Sequence, residues 1–385
     1  MKTSNLITLT HSLSLILISL FSTSISVAKD TVSQDSSLDI NQWQMAGYTE
    51  SNTPISEHPA YRPLKRVLVS SVGEQELAKM AAALPEIEFV SVNNFDENNS
   101  SFDAVLSSCR QGELLSKVSN VVWMQIYSAG VDACMKDAQF QKLLSRDNGL
   151  IVTNSSGAAA SIIAEHSIAM MMSLARGLHR FRDAQAKSNW ARSLASELGA
   201  TNTIGGKTML VLGLGSIGNE VAKRANALGM RVLATRHSSR SGPDYVEYVG
   251  LTNETLKLAE QADVVVNALP LTDSTKGFID KRFFDILKPT AQYISVGRGG
   301  TTDTDALLQA LENNSIASAA LDVTDPEPLP ENHPLWQQAN VIITPHISGS
   351  GGDGRTKTFL LALENLRRYQ AGEPMLNIVD TNLGY

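Results

Sequence analysis

From residue 64 onward, short β-branched and aliphatic runs alternate with segments whose apolar residues return at helical spacing. Runs at 66–70, 88–92, 104–107, 121–126 and 151–153 predict strands, and 74–84 and 111–118 predict helices between them. Such alternation implies a parallel sheet with right-handed crossovers, and ligand sites at the carboxyl ends of its strands. Residues 162–178 (IIAEHSIAMMMSLARGL) are apolar nearly all round, which predicts a long helix buried between domains or subunits, its methionines serving as packing. A second series begins at Lys207, with strands predicted at 208–212, 231–235, 264–268, 292–296, 318–322 and 341–344. Six strands are enough for a full doubly wound sheet. After His346 a glycine-rich loop leads to a last helix over 355–369. It has no sheet left to cover in the second series, so it is expected to cross back to the first.

The amino terminus has a different pattern. Residues 1–28 carry a single charge, Lys2, then an apolar run at 13–21 (LSLILISLF), then Ser26 and Ala28 at the small positions before a cleavage point. This order predicts a secretory signal peptide, and hence a periplasmic or secreted protein. A start at Met45 would instead leave the chain cytoplasmic. The run is too short and too serine-interrupted for a stable membrane span, and no later segment qualifies. Residues 29–63 read as a polar linker or arm.

Composition narrows the classes. With 385 residues, 43% hydrophobic and 18% charged, the chain is globular and long enough for about two domains. Thirty-two basic against 39 acidic residues give a net charge of −7, which disfavours a nucleic-acid partner. Cys109 and Cys134 lie in no zinc-like spacing, so no metal is expected. Two buried thiols are the default for them, with pairing as the alternative in an oxidising compartment.

Gly213, Gly215 and Gly218 follow an apolar strand and open a helix, with Ser216 and Ile217 between them. The first glycine allows the tight turn, the second lets a pyrophosphate approach backbone, and the third lets helix and strand pack closely. About 20 residues later an NAD site presents a carboxylate to the ribose hydroxyls. This chain has Thr235 and Arg236 there instead. A guanidinium pairs with a ribose 2′-phosphate, so NADP is expected over NAD, anchored by Arg236.

Three polar residues lie at or beyond strand ends of the second series: Arg298, Glu327 and His346. Reducing a 2-oxo acid by hydride transfer needs a cation for the carboxylate and ketone, and an acid for the developing alkoxide. Arg298 and His346 suit these roles, with Glu327 orienting the imidazole and favouring its protonated form.

Together these stretches resemble the D-isomer-specific 2-hydroxyacid dehydrogenases, over nearly all of residues 64–385. The resemblance is carried by Trp123-Met124-Gln125, Ser128-Ala129-Gly130-Val131-Asp132, the glycine turn, residues 262–280, Val296-Gly297-Arg298-Gly299, Ala320-Leu321-Asp322-Val323, Asp325-Pro326-Glu327-Pro328-Leu329, Thr344-Pro345-His346, and Glu364-Asn365-Leu366 through to Val379. It implies two Rossmann-like α/β domains with doubly wound parallel sheets, the substrate domain discontinuous. Residues 64–156 and 347–385 would bind substrate, and 157–346 the dinucleotide. It also implies substrate contacts from Ser128, Ala129 and Gly130, cofactor contacts from Pro270, Val296 and Asp322, and a homodimer. Within the family the absent ribose carboxylate is similar to the glyoxylate/hydroxypyruvate reductase branch. An export leader departs from the family pattern, as do the few residues after Val379 from phosphoglycerate dehydrogenases with a C-terminal regulatory domain. The expected function is NADP(H)-dependent reduction of small 2-oxo acids. A cofactor-sensing binding protein and a formate-dehydrogenase-like enzyme are the alternatives.

Overall fold

A computed structural model describes residues 47–109, 111–146, 149–197 and 203–384. The predicted signal peptide and the first part of the arm, through residue 46, lie outside the described residues.

The first sheet is five-stranded and parallel, with β1 (Arg66–Val69), β2 (Glu88–Ser91), β3 (Ala104–Ser107), β4 (Trp123–Ile126) and β5 (Ile151–Thr153) in the order β2-β1-β3-β4-β5. Every residue of β3 and β4 is buried. Sheets covered on both faces read as continuous apolar runs, which is why these strands were visible in the sequence.

The second sheet has seven strands, not six. They are β6 (Thr208–Leu212), β7 (Arg231–Arg236), β8 (Tyr248–Leu251), β9 (Val264–Asn267), β10 (Gln292–Ser295), β11 (Ser318–Leu321) and β12 (Val341–Ile343), in the order β12-β11-β10-β9-β6-β7-β8. The unforeseen β8 is an edge strand of sequence YVGL paired only with β7. A Cβ on its Gly250 would come 2.8 Å from Leu258 Cδ1, so the glycine that disguises the strand also lets the helix Thr255–Ala259 lie close. Strand order reverses about β6, and the crevice at this switch point is where ligands of such sheets bind.

The helix Ala160–Arg176 packs Ala164, Ser167, Met170, Met171, Leu174 and Ala175 inward. Within one chain it leaves a face open: Ile162, Ile163, Ile168 and Met172 are half-buried, and Glu165 and Ala169 are exposed. The last helix, Gly354–Ala371, lays Ala362, Leu366 and Tyr369 into the core beneath the first sheet. Tyr369 stacks on Trp123 at 5.2 Å between ring centroids, and buried Asn365 donates from Nδ2 to Gln125 Oε1 at 2.9 Å. Arg368 is buried with both partners supplied, Glu50 at 2.6 Å and Glu364 at 2.7 Å.

Cys109 and Cys134 form a disulfide with their Cα atoms 4.7 Å apart, in place of the two thiols taken as the default. The cause is tertiary. β3 and β4 are neighbours, so the loop after one and the helix Asp132–Lys136 after the other meet at the same sheet end.

Candidate active site

β6 runs into Gly213, whose φ of +88° suits glycine, and a Cβ on Gly218 would collide with the Gly213 carbonyl. At Gly215 a Cβ would meet nothing within 4 Å, leaving open space at the start of the helix Ser216–Ala227. An unobstructed approach to a helix N-terminus fits the pyrophosphate of a dinucleotide. Ser216 shares a hydrogen bond with Ser156 (Oγ to Oγ, 3.1 Å), and Ile217 packs against the core below. Thr235 is buried at the end of β7, and its carbonyl accepts from Leu214 N at 3.0 Å. Arg236 reaches back over the turn, donating from Nε to the Leu214 carbonyl at 2.9 Å and from Nη1 to that of Ser241 at 3.1 Å. Arg240, by contrast, is bound to Glu254 at 2.6 Å and Tyr248 at 2.8 Å. Val296 is buried at the end of β10, and Pro270 is exposed beyond β9.

Arg298 follows β10, Glu327 follows β11 and His346 follows β12, three neighbouring strands of the sheet. The structure joins two of them directly, with His346 Nδ1 2.6 Å from Glu327 Oε1. His346 has a φ of +53°, uncommon for a residue with a side chain. Asp322 holds it in that turn. The Asp322 carbonyl accepts from His346 N at 2.8 Å, and its carboxylate accepts from Thr344 Oγ1 at 2.7 Å, Ile347 N at 2.9 Å and Ser348 N at 3.0 Å. Burial opposes charge on Asp322, but the hydrogen bonds from Ser348, Thr344 and Ile347 prevail and hold its carboxyl below the ordinary value. The turn therefore keeps this support at neutral pH and loses it only as pH falls through the depressed value. His166, inside the long apolar run, shares a hydrogen bond with Thr344 Oγ1 at 3.0 Å. Its place behind the turn had no sequence signal beyond being the one histidine in that run.

Arg298 leans the other way, onto the first sheet. Its Nε donates to Asp132 Oδ1 at 3.0 Å and its Nη1 to the Gly297 carbonyl at 3.0 Å, and a Cβ on Gly130 would overlap the guanidinium. Ser128 Oγ donates to the Gly130 carbonyl at 2.7 Å, shaping the loop. Among the described residues the amides of Ala129 and Gly130 donate to no backbone or side-chain group, so a strip of N–H donors lies beside the guanidinium. Asp132 is a partner that motif reading passed over, because its contact crosses between the two sheets. Among the described residues there is no cluster of His, Cys, Asp and Glu able to hold a metal.

A glycine turn at a switch point, with a Glu-paired histidine and an arginine at strand ends facing a second parallel sheet, defines a nicotinamide-nucleotide oxidoreductase. Residues 168–348 match the NAD binding domain of the D-isomer specific 2-hydroxyacid dehydrogenases. A glyoxylate reductase of Aeropyrum pernix is 33% identical over 237 residues, 60% of this chain and 70% of that protein. The glyoxylate reductase/hydroxypyruvate reductase of Homo sapiens is 41% identical over 169 residues, 44% of this chain and 51% of that protein. The crystal structure of a D-isomer specific 2-hydroxyacid dehydrogenase from Xanthobacter autotrophicus Py2, in complex with NADPH and MES, superposes with a TM-score of 0.70 at 27% identity, covering 84% of this chain and 100% of the other. The chain belongs to the D-isomer-specific 2-hydroxyacid dehydrogenase family, whose members are NAD(P)-dependent oxidoreductases.

Proposed function

We propose that the protein is an NADP(H)-dependent reductase of small 2-oxo acids of the glyoxylate or hydroxypyruvate kind. The observation that carries this reading is the His346–Glu327 pair at 2.6 Å, formed beyond the adjacent strands β12 and β11, with β10, the strand before Arg298, next in the sheet. The residues around Gly215 and Arg236 would hold the dinucleotide, which when bound supplies the hydride for the substrate's carbonyl carbon. Asp322 and Val296, with exposed Pro270, would line its nicotinamide side. Arg298 and the Ala129 and Gly130 amides take the substrate carboxylate, and Arg298 polarises the ketone. His346, its Nδ1 fixed by Glu327, gives the Nε2 proton to the carbonyl oxygen as the alkoxide develops, forming the 2-hydroxy acid.

The test is an initial-rate panel of 2-oxo acids against both reduced cofactors, on residues 29–385. NADPH is expected to be used at least about tenfold faster than NADH, and Arg236→Ala to narrow that ratio. Equal rates would overturn the cofactor assignment. No turnover with intact cofactor binding would favour a sensor, and NADP+ reduction by formate would favour the formate-dehydrogenase-like reading.

We read the assembly as a homodimer and the mature chain as exported. Supporting the first are Trp190, 94% exposed, Leu178, 55% exposed, and the half-open apolar face of the Ala160–Arg176 helix. Supporting the second are the leader pattern and the disulfide, since such bonds persist in oxidising compartments. Protein recovered from the exported fraction should begin at Lys29 and scatter light as twice the chain mass. A monomer, or an uncleaved cytoplasmic chain, would overturn the respective reading.

A further inference from the structure

The lip of the first sheet carries a feature that the proposed reaction does not use. Asp132, which accepts from Arg298 Nε, is the first residue of a five-residue helix, and Cys134 in that helix is bonded to Cys109 just beyond β3. Both cysteines are buried, in a cluster with Val131, Leu114 and Phe140. A helix of five residues does not hold itself together, because nucleation costs more than one turn of hydrogen bonds returns. Packing and the covalent link therefore decide where Asp132 stands. With Nε on Asp132 and Nη1 on the Gly297 carbonyl, the remaining nitrogen, Nη2, lies against Gly130 and the free amides of the lip.

We propose that Asp132 and the Cys109–Cys134 disulfide are one positioning device, which aims Arg298 at the substrate carboxylate and makes substrate affinity depend on the redox state of the cysteine pair. The proposal rests on the 2-oxo-acid reading above. Formation of the link removes two electrons and two protons from the two thiols and passes them to a disulfide-bearing oxidant, which leaves as a dithiol. A dithiol reductant reverses the step. Once the link is open, the Asp132 helix is free to drift from Arg298 while the glycine turn, which lies on the other sheet, is untouched.

The test compares the oxidised enzyme, the enzyme reduced with dithiothreitol, the double variant Cys109→Ala/Cys134→Ala, and Asp132→Asn, which keeps the disulfide. Opening the link, by either route, is expected to raise KM for glyoxylate about tenfold and to lower kcat as well, because Arg298 also polarises the ketone, with NADPH affinity unchanged. Asp132→Asn should reproduce the KM rise although thiol titration still finds no free thiol. A lower melting temperature with unchanged KM would make the link a staple only and overturn the proposal, as would two free thiols in the native exported protein. If the oxidised enzyme reduces no 2-oxo acid, the reaction assignment has failed independently. The device is then read from hydrogen exchange in residues 128–136, which reduction should accelerate and which, if unmoved, overturns it.

Discussion

Replacing His346 with alanine is expected to lower turnover by about 10²–10⁴-fold, the usual share of a positioned general acid. NADPH binding should stay at its wild-type value. Glu327 takes one ring nitrogen at 2.6 Å, so the other is left to serve the substrate. Cofactor affinity is spared because the glycine turn ends β6, four strands away in the sheet, or roughly 19 Å at the ordinary strand spacing. A His346→Ala protein that kept more than a tenth of the rate would remove His346 from the reaction. Stopped-flow turnover paired with a fluorescence titration of NADPH separates the two outcomes.

Arg298→Lys is the second large effect, with an expected fall in kcat/KM of about 10²–10³-fold, comparable to losing one aimed donor to a developing oxyanion. The charge is preserved, but the geometry is not. Arg298 spends Nε on Asp132 and Nη1 on the Gly297 carbonyl and still has Nη2 beside Gly130, a three-way division that one ammonium on a flexible stem does not reproduce. Gly297 itself has no room for a side chain, because a Cβ would collide with the Leu269 carbonyl, so the backbone that aims Arg298 is fixed. Near-wild-type efficiency in the lysine variant would show that charge alone suffices and that the fork plays no part.

These residues differ in how visible they were before the fold was known. The glycine turn was legible because each glycine answers a local need: φ of +88° at Gly213, open space at Gly215, contact at Gly218. Arg298, Glu327 and His346 could be picked out by their positions just past apolar runs, since strand ends are local features. Asp132, His166 and the disulfide could not. Each depends on which strands become neighbours, and a separation of 25 residues says nothing about two cysteines until β3 and β4 are known to be adjacent. Asp322 lies between these cases. The family resemblance assigns it to the nicotinamide, and only the turn beyond β12 reveals that this residue, 2% exposed, accepts three hydrogen bonds on its carboxylate beneath His346. β8 stayed hidden for a related reason, because an edge strand with one neighbour needs little apolar pattern, and Gly250 breaks what there is.

The return of the last helix to the first sheet has a consequence for the order in which the molecule is made. Gln125 meets Asn365, its hydrogen-bonding partner, 240 residues later in the chain, and Trp123 has to await Tyr369. At about 5–20 residues per second, roughly 10–50 s of synthesis separate the two halves of that core. The second sheet, by contrast, is drawn from one uninterrupted stretch between β6 and β12. On the ribosome the later half of the protein can therefore finish first, and the earliest strands are the last to be closed.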